Sequence, residues 1–281
     1  MTVPTLTLNN RTEIPQLGFG VFQVPPAQTA DVVTQALQVG YRHIDTAQMY
    51  GNEQEVGAAL AAAGLPRDEL WITSKLNNGF HRPDDARREF DASLARLGLE
   101  QIDLFLVHWP LPTLYDGDYV STWQTLIEFV QDGRARSIGV SNFQPAHLDR
   151  IVAETGVVPA VNQIEVHPYF ANNAAREASH RHGALVESWS PIAQGAVLDD
   201  EVIGKIAAAH GRTPSQVTLR WHVERGDIVF PKTTHRDRME ENFAIFDFEL
   251  SADDVAAIDA LDRGESGRRG PNPDTFDYVP S

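Results

Sequence analysis

Eight short apolar runs recur along the chain, separated by longer stretches with helical spacing. The runs are Leu17–Gly20, Arg42–Asp45, Leu70–Ser74, Ile102–His108, Ser137–Val140, Val161–Val166, Leu185–Ser190 and Ile228–Lys232. Several show little internal alternation, which suits strands buried on both faces. Strand and helix alternating eight times within 281 residues predicts an α/β fold, the (β/α)8 TIM barrel. A doubly wound open sheet is the alternative. It is disfavoured by the strand count and by the lack of a Gly-rich dinucleotide fingerprint. Gly18-Phe19-Gly20 opens such a pattern, but the third Gly is missing. A phosphate-cradling loop at Gly226–Thr233 is excluded in the same way, because Pro231 stands where a Gly must precede Lys232.

The helical stretches carry recognisable ends. Thr29 is expected to cap a helix burying Val32, Val33, Ala36 and Leu37, with Gly40 ending it. Pro83 suits a first helical turn, and Gly98 stops the run that follows. Thr213 and Gln216 make a capping-box pattern around Pro214. There is room for two helices between the seventh and eighth runs, and two more patterns follow the eighth. The expected barrel therefore carries two extra helices. TLTL, a polar NNRT turn and EIPQ add an N-terminal β-hairpin. No linker or low-complexity block divides the chain, so residues 1–281 read as one domain.

Composition removes several function classes. The formal net charge is −16, so the surface should repel nucleic acid and anionic membranes. There is no cysteine, hence no disulfide, thiolate metal site or Cys nucleophile. The N-terminus lacks a basic start followed by an apolar stretch, and no run approaches the roughly 18 apolar residues of a membrane span. A soluble cytoplasmic protein is expected. His180 and His182 face different ways on a helix, and His43 with Asp45 lacks further clustered ligands, so no metal site is expected.

Four residues at strand ends carry the chemistry. Asp45 ends the second run, Tyr50 lies just beyond it, Lys75 follows the third and His108 ends the fourth. In a barrel, residues at the C-terminal strand ends converge on one mouth. Taken singly, each has an ordinary reading: an ion pair or cap, a loop aromatic, a snorkelling lysine, a core histidine. Together, a phenol, an ammonium, a carboxylate and an imidazole can protonate a carbonyl oxygen. Lys75 is expected to lower the Tyr50 pKa, Asp45 to hold Lys75 charged, and His108 to align the carbonyl.

The stretches GYRHIDTAQMYGNEQEVG, ITSKL, DLFLVHWP, IGVSNF, VNQIEVHP and VFPKTTHRDRMEEN resemble the aldo-keto reductases, and within them most the bacterial 2,5-diketo-D-gluconate reductases. The resemblance runs from about residue 16 to 245. It implies a (β/α)8 barrel using NADPH without metal or flavin, with Asp45, Tyr50, Lys75 and His108 as the catalytic tetrad. It also implies that Ser141, Asn142 and Gln163 bind the nicotinamide carboxamide and that Trp189 stacks on the ring. Ser190, Ile192 and Gln194 would cover the pyrophosphate. Lys232, Thr233 and Arg238 would hold the adenosine 2′-phosphate, with Glu241 and Asn242 near the adenine. A monomer acting on a small-molecule carbonyl is implied.

The residues agree in one respect. Lys232, Arg236 and Arg238 form a basic cluster on a strongly acidic chain, next to a helix expected to begin near His235, which suits an anion and favours NADPH over NADH. Many relatives carry Trp where this chain has Asn77, and the tail GESGRRGPNPDTFDYVPS is individual. Both are expected to border the substrate pocket, with Phe22, Met49 and Trp109. The leading expectation is reduction of a small aldehyde or keto sugar acid such as 2,5-diketo-D-gluconate, with Tyr50 as general acid. The alternatives are a reductase for methylglyoxal-like dicarbonyls and a non-catalytic NADPH-binding regulatory barrel.

Overall fold

The structure is a computed structural model describing residues 2–280; Met1 and Ser281, the outermost residues of the expected domain and tail, lie outside the described residues. A short antiparallel hairpin comes first, β1 (Thr5–Thr7) and β2 (Glu13–Pro15), with Leu6 opposite Ile14. Eight parallel strands follow in sequential order: β3 (Phe19–Gly20), β4 (His43–Asp45), β5 (Trp71–Leu76), β6 (Ile102–Val107), β7 (Ala135–Ser141), β8 (Val161–Glu165), β9 (Leu185–Trp189) and β10 (Ile228–Val229). The last meets the first. Leu17 bridges Val229, Gly18 N donates to Val229 O at 2.8 Å, and Val229 N donates to Gln16 O at 3.0 Å. The ring closes as the alternation of runs predicts.

β10 stops short of the expected Lys232. Pro231 has no N–H for the ladder, although its carbonyl still accepts from Gly20 N at 3.4 Å. Two helices, Glu201–His210 and Pro214–Glu224, separate β9 from β10, and two more, Arg236–Phe243 and Ala252–Asp259, follow β10. These supply the two extra helices.

The helix ends show why the chain breaks where it does. Pro83 opens the helix Pro83–Leu97, and Gly98 closes it with left-handed backbone (φ 67°). The Thr213–Gln216 capping box is formed in both directions. Thr29 is a correction. The helix spans Pro26–Val39 with Pro25 at its N-cap, and Thr29 sits inside it, donating back to Val24 O and Pro25 O. The two prolines set the extended-to-helical turn before Thr29 is reached, so its hydroxyl bonds within the first turn.

The barrel interior is divided along its axis. Below the mouth, Trp71, Leu104, Leu106, Val161, Ile228 and Phe230 pack with Leu8 and Ile14 of the hairpin segment. Gly139 belongs to this crowding: a Cβ there would lie 2.8 Å from both Leu106 and Val161. A larger core fills the space between barrel and helices, with Phe90 stacked on Phe129 at 3.9 Å. The C-terminal strand ends are polar, and they form the site.

Candidate active site

The tetrad expected from strand ends comes together. Lys75, at the end of β5, is wholly buried. Its Nζ donates to Asp45 Oδ1 at 2.7 Å, Thr46 O at 2.9 Å and Tyr50 Oη at 3.3 Å, which spends all three of its N–H groups. Tyr50 is delivered by the turn Gln48–Tyr50, and that turn is pinned on two sides. Gln48 Nε2 donates to Glu89 O and Ser93 Oγ, its Oε1 accepts from Asn77 N at 2.7 Å, and Asn52 ties the loop to Thr46 and Val21. His108 follows β6, with its ring edge-on to Tyr50 at 5.8 Å between centroids. Its Nδ1 is buried without a partner among the described residues.

The electrostatics differ from expectation at one point. Burial pushes the Tyr50 phenol above its usual range; Lys75 pulls it down, but by less, and Asp45 adds to the rise. The expected lowering is therefore a correction. An ammonium already paired with a carboxylate at 2.7 Å offsets only part of the cost of desolvating a phenolate. For Lys75 itself burial favours the neutral amine, yet Asp45 and Tyr50 outweigh it and hold its pKa above the usual value. Burial, with Lys75 and His81, pushes His108 well below the usual imidazole range, so it is neutral at pH 7.

A polar chain continues from the tetrad across the barrel. Gln163 Nε2 donates to Asp45 Oδ2 at 2.9 Å and to Glu187 Oε2 at 3.0 Å. Ser141 Oγ donates to Gln163 O at 2.8 Å. Asn142 adopts left-handed backbone (φ 64°), which Asn tolerates, and this turns its amide inward. Its Nδ2 donates to His108 O and Ser141 Oγ, and its Oδ1 accepts from Trp189 Nε1 at 2.9 Å. His43, one layer below Asp45, spends its ring nitrogens on Pro15 O and Thr73 Oγ1, and burial holds its pKa down at about 3.

Known proteins resemble this chain along nearly its whole length. The profile of the Aldo/keto reductase family matches residues 16–263. An aldo-keto reductase of Mycolicibacterium smegmatis is 46% identical over 276 residues, covering 98% of this chain and 99% of the relative. Methylglyoxal reductase DkgA of Yersinia pestis is 45% identical over 276 residues, 97% of each chain. A solved structure of a Gox0644 mutant in complex with NADPH superposes with a TM-score of 0.94 at 44% identity, covering 99% of this chain and 100% of the other. The chain belongs to the aldo-keto reductase family.

In this reductase the loop that follows Trp189 is sharply bent. Ser190, Ala193 and Gln194 all have left-handed backbone (φ 50°, 49° and 56°), a strained conformation for non-Gly residues that marks a loop shaped for a task. Ile192, between them, packs against the core. Lys232 and Arg238 are exposed and make no ion pair among the described residues, whereas Arg236 pairs with Glu240 at 3.0 Å. Thr233 is buried and its hydroxyl accepts from His235 N ahead of the helix Arg236–Phe243. Glu241 and Asn242 are tied to the neighbouring helix start, accepting from Thr213 Oγ1 and Ser215 Oγ. This donor set fits an anionic dinucleotide: unpaired cations and a helix N-terminus at one end, amides and an indole at the other.

The residues expected to border the substrate pocket lie on the loops after β3, β4, β5 and β6, and the C-terminal tail lies against two of those loops. Phe22 is exposed, with its ring 5.1 Å from that of Tyr50. Met49 lies in the pinned turn. Asn77 caps the turn Asn78–Phe80 by accepting from Gly79 N, which explains a polar residue there. Trp109 carries the ring of Phe276 at 4.1 Å, and Asn78 Nδ2 donates to Tyr278 O, so the tail crosses the mouth. Glu165, at the end of β8, anchors that tail through the backbone N–H groups of Arg269 and Gly270. Gly270 is required: a Cβ there would lie 2.4 Å from the Trp189 ring.

Proposed function

We propose that this reductase converts a small carbonyl compound, a methylglyoxal-type dicarbonyl or a short aldehyde, to an alcohol with NADPH. The observation that carries the reading is the three-way bonding of Lys75. Because Tyr50 Oη accepts from Nζ at 3.3 Å, its own O–H is directed elsewhere, toward the mouth. When bound, NADPH supplies the hydride to the carbonyl carbon. Tyr50 gives its proton to the carbonyl oxygen as negative charge develops there. The phenolate left behind lies against an ammonium that Asp45 and Thr46 keep charged. This matters at the moment of transfer, when the buried phenol, otherwise a weak acid, must release its proton. Neutral His108 hydrogen-bonds the carbonyl and fixes its angle to Tyr50.

Ser141, Asn142 and Gln163 would hold the carboxamide, Trp189 the ring, and Lys232, Thr233 and Arg238 the 2′-phosphate. The likeness to methylglyoxal reductase DkgA at 45% identity, against 36% for a putative 2,5-diketo-D-gluconic acid reductase B, supports a compact dicarbonyl over a keto sugar acid.

Tyr50→Phe tests the reading. Its kcat should fall by about 10²–10⁴ with NADPH affinity within a few-fold of wild type. Near-normal turnover overturns the assignment. Comparing kcat/KM for methylglyoxal, an aromatic aldehyde and 2,5-diketo-D-gluconate tests the substrate, and the highest value for the sugar acid would reverse the preference.

A further inference from the structure

We propose that Glu187 is a positioning residue for the nicotinamide end of the site, fixing the Gln163 side chain so that its carbonyl oxygen faces the barrel mouth. Glu187 lies on the inner face of β9, one pleat below Trp189, and is paired in register with Gln163. It is fully buried. An amide nitrogen has two protons, and Gln163 gives one to Asp45 at 2.9 Å and the other to Glu187 at 3.0 Å. Flipping the amide would set its oxygen against both carboxyls at once. Without Glu187, the flip would cost only the Asp45 bond, and the donor and acceptor presented to a carboxamide would exchange places.

The chemistry of the acid is suited to this. The charged groups facing it are Asp45 from β4 and Lys75 from β5, while its neighbour on β10 is Ile228. Burial and then Asp45 push the Glu187 pKa up to about 8, so at neutral pH it accepts from Gln163 without adding a second negative charge beneath Lys75. Its Oε1 has no partner among the described residues, so Gln163 is its one polar contact.

The proposal rests on the reading of the site given above, and the two fail separately. Two substitutions and two ligands test it: Glu187→Met, which keeps the volume and removes the acceptor, and Glu187→Gln, which keeps it. The ligands are NADPH and 2′-phospho-ADP-ribose, which lacks the nicotinamide, each followed by protein fluorescence or calorimetry. Glu187→Met should weaken NADPH on the order of tenfold, the loss of one well-made hydrogen bond, and leave 2′-phospho-ADP-ribose within about twofold. Glu187→Gln should stay within about threefold of wild type for both. Unchanged NADPH binding in Glu187→Met, parallel loss of both ligands, or equal loss in Glu187→Gln would each overturn the proposal. Glu187→Leu replaces Glu187→Met if that variant does not fold. Failure of wild-type protein to bind NADPH, or normal turnover in Tyr50→Phe, would strike the underlying reading instead.

Discussion

Buried carboxyls occur in two settings here, and they are satisfied differently. Outside the barrel wall, Asp103 accepts from Arg67, Arg136 and the backbone of Ile72, and Glu53 from Ser74, Ser93 and Arg96. Each oxygen of both is engaged, and the arginines reach water. Inside the barrel, Asp45 shares one ammonium and one amide with the site, and Glu187 has a single partner and one oxygen with none among the described residues. The outer set ties strands to helices and is finished by the fold. The inner set depends on two shared donors, Lys75 and Gln163, so any disturbance there passes to Tyr50. Saturated polar groups mark architecture, and sparingly partnered ones mark a place where chemistry has shaped the choice.

The largest effect should come from removing one cation of each kind. Lys75→Met leaves Asp45 buried without its counter-charge, which should cost roughly 3–5 kcal/mol of stability. It also strips the support of the phenolate, so kcat should fall by about 10²–10⁴. Arg136→Met leaves Asp103 with Arg67, and the pair is part-exposed, so the loss should stay within about 1 kcal/mol with kcat unchanged. Steady-state kinetics and thermal melts measure both. If Arg136→Met inactivated the enzyme without unfolding it, the division into architectural and chemical carboxyls would fail.

The next effect concerns stability and pH. Glu187 titrates near 4.5 when unfolded and at about 8 when folded, so between these values the folded state holds a proton that the unfolded chain has lost. Stability should therefore fall as pH rises from 4.5 to 8 and then level off. Glu187→Gln removes that dependence. Its melting temperature should exceed wild type by several degrees at pH 8, a gain on the order of a few kcal/mol, and converge with it below pH 4.5. A gain independent of pH would mean that the carboxyl does not carry the shift. No such gain is expected from Glu53→Gln, where the lost charge breaks a made ion pair with Arg96.

Much of the architecture could be read from the chain because barrel strands are buried on both faces and appear as unbroken apolar runs. The tetrad was legible for a related reason: Asp45, Lys75 and His108 stand where such runs end. Its electrostatics were not legible. Whether Lys75 or burial governs the Tyr50 phenol depends on how far water is excluded, and spacing carries no measure of that. Thr29 has a capping side chain, but Pro25 and Pro26 just before it set the helix start first, and residue type alone does not show which of the two wins. Asn78 meets Tyr278 across 200 residues of sequence, a contact no local pattern encodes. Glu187 did leave a signal: a lone acid inside the buried run LVESW, which should prompt a search for its partner.

The smallest effect tests the same distinction within the basic cluster. Arg236 is spent on Glu240 at 3.0 Å and on Gln38 at 2.9 Å, whereas Arg238, one residue pair further along the same helix, has no partner among the described residues. Arg238→Ala should weaken NADPH on the order of tenfold, as for a lost charge-assisted hydrogen bond to phosphate, and leave NADH nearly unaffected. Arg236→Ala should change both by less than about twofold, because an exposed paired guanidinium contributes little. Fluorescence titration with the two cofactors at fixed ionic strength measures the difference. Equal losses for NADPH and NADH in Arg238→Ala would remove the 2′-phosphate contact, and a larger NADPH loss in Arg236→Ala would show that an ion pair in the free protein is no guide to which cation meets the phosphate.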